Sequence, residues 1–96
     1  MPKPTVTLDA GNDERGPNPP TLIGVSGSDF PPGSAVNISV SAGSRRLGGP
    51  ANVRADGSFD WSATIRPKLG CDTHVDAVVH GADGIEVTAE AKVFCP

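Results

Sequence analysis

The stretch His74-Val75-Asp76-Ala77-Val78-Val79-His80-Gly81-Ala82-Asp83-Gly84-Ile85-Glu86-Val87-Thr88-Ala89-Glu90-Ala91-Lys92 decides the fold. Apolar residues alternate at Val75, Ala77 and Val79, then again at Ile85, Val87, Ala89, Ala91 and Val93. Period-two alternation marks strands with one dry face and one wet face. Ala82-Asp83-Gly84 between them suits a three-residue hairpin loop, whose last residue is left-handed and falls on glycine. Gly81 and Ile85 then close the loop. Val79 faces Val87, Ala77 faces Ala89 and Val75 faces Ala91, apolar against apolar. A loop one residue longer or shorter would set apolar residues against polar ones.

The same tripeptide recurs at Ala55-Asp56-Gly57. By the same count Arg54 and Ser58 close it, Val53 faces Phe59 and Asn52 faces Asp60. Working outward, further strands are predicted around Val6 and Leu8, around Ile23 and Val25, and through Val36, Ile38 and Val40. A short fourth strand is expected at Val53, and a fifth through Phe59, Trp61, Ala63 and Ile65. Residues 11–20 and 41–50 read as Pro- or Gly-rich loops. Ten prolines and no apolar spacing of helical period argue against long helices. Seven short strands in 96 residues predict one domain, an all-β, immunoglobulin-like seven-stranded antiparallel β-sandwich, with residues 1–4 as a proline-rich arm. A small Greek-key barrel is the competing architecture.

The net charge is −3 and the isoelectric point about 5.1, which argues against a nucleic-acid partner. Arg45-Arg46 is the one adjacent basic pair, set in the second expected loop. No apolar stretch has the length of a signal peptide or a membrane span. The chain therefore reads either as an unexported polypeptide or as an excised domain to which Met1 was added.

Residues Gly24 to Val36, with Gly27-Ser28-Asp29-Phe30-Pro31-Pro32-Gly33 at their centre, resemble a stretch of many bacterial and phage Ig-like domains. In those domains a strand ends in a Gly-Ser-x-Phe-x-x-Gly turn before the next begins. Ala55-Asp56-Gly57-Ser58-Phe59 with the alternation that follows, and the last hairpin, are similar to the same domains. The resemblance covers most of the chain from Thr21 to Phe94 and implies the sandwich fold. It departs from the antibody pattern, because Trp61 lies on the fifth strand and neither cysteine on the second or sixth. A more distant resemblance, to antitumour chromoprotein apoproteins of the neocarzinostatin type, implies a ligand carrier. Those proteins have two short-range disulfides, whereas this chain has two cysteines at another spacing.

The hairpin register places Cys71 opposite Cys95. A disulfide there would close a loop worth roughly 3 kcal/mol in the chain-entropy picture, the alternative being two reduced, half-buried thiols. The same register puts His74, Asp76 and His80 on the outward face, opposite Lys92, Glu90 and Glu86. The two histidines lie about 20 Å apart along the strand, too far to share one ion. The face reads as a solvated or contact surface, and no metal or cofactor is expected. Asp76 opposite Glu90 is unfavourable unless a basic partner or a cation relieves it. Asp9, Asn12, Asp13 and Glu14 lack EF-hand spacing, and Asn37-Ile38-Ser39 matches a glycosylation sequon. No common catalytic signature is present, so the chain is expected not to be an enzyme.

A lone, acidic Ig-like domain with no signal segment resembles bacteriophage head decoration proteins, and that resemblance implies a virion-surface structural protein that binds the assembled shell and stabilises it. Its partner would be the major capsid protein or other virion subunits, with room for a homo-oligomer on the capsid and no membrane contact. The expected contacts are Pro2, Lys3 and Pro4, the loop Asn12-Asp13-Glu14-Arg15, and Arg45-Arg46-Leu47. The alternative is an extracellular spacer or carbohydrate-associated domain of a secreted multi-domain bacterial protein.

Overall fold

A computed structural model describes residues 3–12, 16–17, 19–66 and 68–94. Seven strands follow one another: β1 Thr5–Asn12, β2 Thr21–Ser28, β3 Ala35–Ala42, β4 Arg45–Asn52, β5 Phe59–Ile65, β6 His74–His80 and β7 Glu86–Lys92. All strand pairs are antiparallel, and they form a three-stranded sheet, β1-β2-β5, facing a four-stranded sheet, β4-β3-β6-β7. This is the expected β-sandwich. Among the described residues no helix is long and apolar enough to cross a membrane.

The last hairpin has the register its sequence predicts. Val79 pairs with Val87, Ala77 with Ala89 and Val75 with Ala91. The Gly81 amide donates to the Ile85 carbonyl at 2.8 Å, and Gly84 takes φ +77° at the end of a single 3-10 turn, Ala82–Gly84. Leu8 and Ala10 of β1, Ile23 and Val25 of β2, Val36, Ile38 and Val40 of β3, Phe59 and Ile65 of β5, and Val75, Ala77 and Val79 of β6 make most of the core, while β4 and β7 add the half-buried Leu47, Ala51, Val87, Ala89 and Ala91. Ala10, Gly11 and Asn12 also meet the segment after β7. The Asn12 amide donates to the Phe94 carbonyl, and the Phe94 amide to the Ala10 carbonyl, each at 3.0 Å. This parallel bridge stitches one edge of the first sheet to the second.

Two expectations are corrected. Residues 41–50 are mostly strand, not loop: β3 and β4 form a tight hairpin in which Ala42 pairs with Arg45, so only Gly43 and Ser44 turn the chain. Arg45, Arg46 and Leu47 therefore open β4. Gly48, Gly49 and Pro50 read as loop residues, yet an edge strand tolerates proline. Gly48 has a steric role, since a Cβ there would sit 2.1 Å from the Ile38 carbonyl oxygen.

The second correction concerns Ala55-Asp56-Gly57. The turn closes as expected, with the Arg54 amide on the Ser58 carbonyl at 2.8 Å and Gly57 at φ +86°. The flanking strands nevertheless part into different sheets. Val53 bonds Ser34 and Gly33, Asn52 pairs with Ala35, Phe59 pairs with Gly27 and Asp60 with Ser26. The fourth strand thus lies beside the third, whereas the antibody constant-type order places it beside the fifth.

Gly48→Ala is expected to cost about 1–3 kcal/mol in urea unfolding through overpacking. Gly24→Ala is expected to change stability by less than about 0.5 kcal/mol, because nothing lies within 4 Å of a Cβ at that position.

Candidate functional site

Antiparallel strands send alternate connections to opposite ends, so strand parity alone sorts the loops. The start of β1 and the turns after β2, β4 and β6 share one end of a molecule 44 Å long. The turn after β3, the segments after β1 and β5, and the residues after β7 share the other. The predicted contact residues are therefore divided. Lys3 and Pro4 belong to the first end, and Asn12 and Arg45 to the second. Pro2, Asp13, Glu14, Arg15 and Cys95 lie outside the described residues.

At the first end Phe30 is the anchor. It is buried, and its ring meets that of Phe59 edge-on, with centroids 5.1 Å apart and planes at 73°. Its amide donates to the Gly57 carbonyl at 3.0 Å. Above it Pro4, Pro31, Pro32, Ala55, Gly57 and Ile85 line a shallow recess of about 520 Å³ together with the exposed Asp29 and Asp56. Asp56 accepts hydrogen bonds from the Ser58 hydroxyl at 2.6 Å and the Ser58 amide at 3.0 Å. Those bonds, the hydroxyl's first, hold its carboxyl below the usual range. Arg54 forms an exposed ion pair with Asp60, the kind that contributes little to stability.

The second end is held by a buried polar lock. The Thr21 hydroxyl donates to Oδ1 of Asn12, Nδ2 of Asn12 donates to the Leu69 carbonyl at 3.0 Å, and the Leu69 amide donates to Oγ1 of Thr21 at 2.7 Å. Thr21 is fully buried and Asn12 is 9 % exposed. Asn12 is accordingly corrected from a surface contact to a structural residue: it secures the segment between β5 and β6. Leu47 is likewise half-buried against the core. Arg45 and Arg46 are exposed, and Arg45 donates to the Arg66 carbonyl at 3.3 Å. Cys71 is disulfide-bonded; the predicted partner, Cys95, falls outside the described residues.

The outward face of the four-stranded sheet carries the third group. His74 pairs with Lys92, Asp76 with Glu90 and His80 with Glu86, as the hairpin count predicts. Nε2 of His74 lies 2.7 Å from Oδ1 of Asp76, and at the other end of β6 Nε2 of His80 lies 3.9 Å from Oε1 of Glu86. Asp9, read with the acidic loop, instead lies on β1.

The recess at the first end was missed by motif reading. Its residues come from four separate segments, and only strand parity could have gathered them. No protein-family model matches the chain, and no curated protein matches its sequence.

Thr21→Val is expected to cost about 1–3 kcal/mol, because Asn12 and the Leu69 amide lose a buried partner. Unfolding curves and hydrogen exchange at Leu69 check this. Asp56 has a depressed folded pKa, so its contribution is present above the unfolded value and lost as the pH falls through the folded one. Asp56→Asn is therefore expected to flatten the acid limb of stability below about pH 4, by a small amount at so exposed a site. Thermal unfolding at stepped pH measures it.

Proposed function

We propose that this chain is a non-catalytic attachment module that docks, first end foremost, on an assembled protein surface, as a phage head decoration protein does on its shell. One observation carries the reading: the Lys3-Pro4 arm leaves the sandwich beside the apolar recess formed by Pro31, Pro32, Ala55 and Ile85. Prolines on both sides of this surface restrict the backbone before binding and lower the ordering cost of contact. The recess supplies apolar area, and the exposed Asp29 and Asp56 in its lining supply polar groups. That is the usual layout of a protein contact. The Ig-like resemblance of residues 21–94 supports the same reading. The arm and Arg45-Arg46 lie at opposite ends, so docking at the first end leaves the second pointing outward.

A second reading is favoured by the disulfide at Cys71. Disulfides persist in oxidising compartments, which suits an Ig-like domain of a secreted multi-domain bacterial protein.

Where the gene beside this chain encodes a capsid protein, co-sedimentation with intact heads assembled from that protein separates the two. Attachment predicts that the full chain pellets with the heads at moderate salt. Removal of residues 1–4 is expected to weaken binding about tenfold or more, a loss of about 1.4 kcal/mol, whereas Arg46→Ala leaves it unchanged. A chain that stays in the supernatant overturns the shell reading.

A further inference from the structure

The outward face of the four-stranded sheet brings three ligating side chains to one point. His74 and Asp76 are two apart on β6 and so share a face. Glu90 is the cross-strand partner of Asp76 on β7. The three form a compact triangle, with one ligand atom from each residue all lying within 4.8 Å of one another. Metal–ligand bonds of about 2.0–2.2 Å in tetrahedral geometry hold neighbouring ligand atoms roughly 3.5 Å apart. Side-chain rotations of about an ångström set the triangle to that size, the 2.7 Å contact between Nε2 of His74 and Oδ1 of Asp76 opening as the longer edges close. All three side chains are exposed or half-exposed, so an ion reaches them without opening the fold.

The electrostatics favour an occupant. Asp76 and Glu90 stand directly opposite each other, where like charges destabilise a sheet. A cation between them turns that repulsion into attraction. Lys92 on β7 flanks the cluster, Ser41 on β3 is the partner of Asp76, and Arg46 on β4 lies beyond Ser41. The one adjoining lysine offsets only one of the two carboxylates.

We propose that His74, Asp76 and Glu90 form a binding site for a divalent cation of the zinc class. One imidazole with two carboxylates suits borderline first-row ions, whereas calcium and magnesium favour all-oxygen shells. Three protein ligands leave the fourth position to water. His80 takes no part, because it lies at the far end of β6, next to Glu86.

Titration of the full, oxidised chain with Zn²⁺ in a non-chelating buffer at neutral pH, followed by calorimetry and by NMR of the two histidines, tests the site. The expected result is one saturable ion per chain, with His74 resonances shifting and those of His80 unmoved. His74→Ala and Glu90→Gln are each expected to weaken binding about tenfold or more, by analogy with losses at metal-site partners. His80→Ala leaves the affinity unchanged. An imidazole binds metal only when neutral, so acidification releases the ion. Because the three side chains are on the surface, thermal unfolding of each metal-free variant is expected to show no large loss against the parent, with Glu90→Gln slightly more stable through relief of the Asp76–Glu90 repulsion, which separates lost ligands from lost fold. Absence of saturable binding, binding that survives both His74→Ala and Glu90→Gln, or binding abolished by His80→Ala overturns the proposal.

Discussion

The edge-on contact of Phe30 with Phe59 is the constraint on which the rest of this structure depends. Two of the connections that cross between sheets, after β2 and after β4, meet at these rings. Phe30 comes from the first crossing and Phe59 opens the strand after the second. The backbone is shaped around them. A Cβ at Gly27 would lie 2.2 Å from the Phe59 ring, and one at Gly57 would lie 3.0 Å from the Phe30 carbonyl oxygen. Gly81, at the start of the third turn, would bring a Cβ to 3.4 Å from the Phe30 ring. Three turns are thus fitted to one aromatic pair, and fully burying each such ring contributes about 1.5–3 kcal/mol. In a core otherwise built from Val, Ile, Leu and Ala, that is a large local contribution.

How much of this was legible in the sequence depended on whether the information was local. The last hairpin was legible residue by residue, because a three-residue loop and strict alternation leave a single register that buries the apolar face. The turn at Ala55-Asp56-Gly57 has the same local chemistry, and its closing bond was legible too. Where its strands go was not. Val53 and Phe59 are both buried whether they face each other or part into two sheets, so alternation cannot choose. The choice is made by Gly43-Ser44, a two-residue turn that holds β4 against β3, and by Gly48, which lets the Ile38 carbonyl approach. Glycine and proline look like loop residues when the neighbouring strand is unseen.

The outward face was half legible. The hairpin count put His74, Asp76, His80, Glu86 and Glu90 on one side, and it separated the two histidines correctly. Comparing the histidines with each other obscured the shorter relation, in which a residue, its neighbour two along and the residue across the ladder form a triangle. The first-end recess was hidden for a different reason. Its residues lie in four segments, and only the alternation of strand direction brings them together. The same alternation divides the arm from Arg45 and Arg46 and gives the molecule two ends of unlike chemistry, one apolar and proline-rich, the other closed by a buried Asn12-Thr21 lock.

Urea unfolding of Phe30→Ala tests the central claim most directly. If Phe30 holds the two crossings together, the variant loses about 3–5 kcal/mol, the cost of truncating a well-packed core phenylalanine, and the Phe30 and Gly57 amides exchange faster with solvent. A loss below about 1 kcal/mol, the size of an ordinary substitution, with protection at Gly57 unchanged, would contradict it.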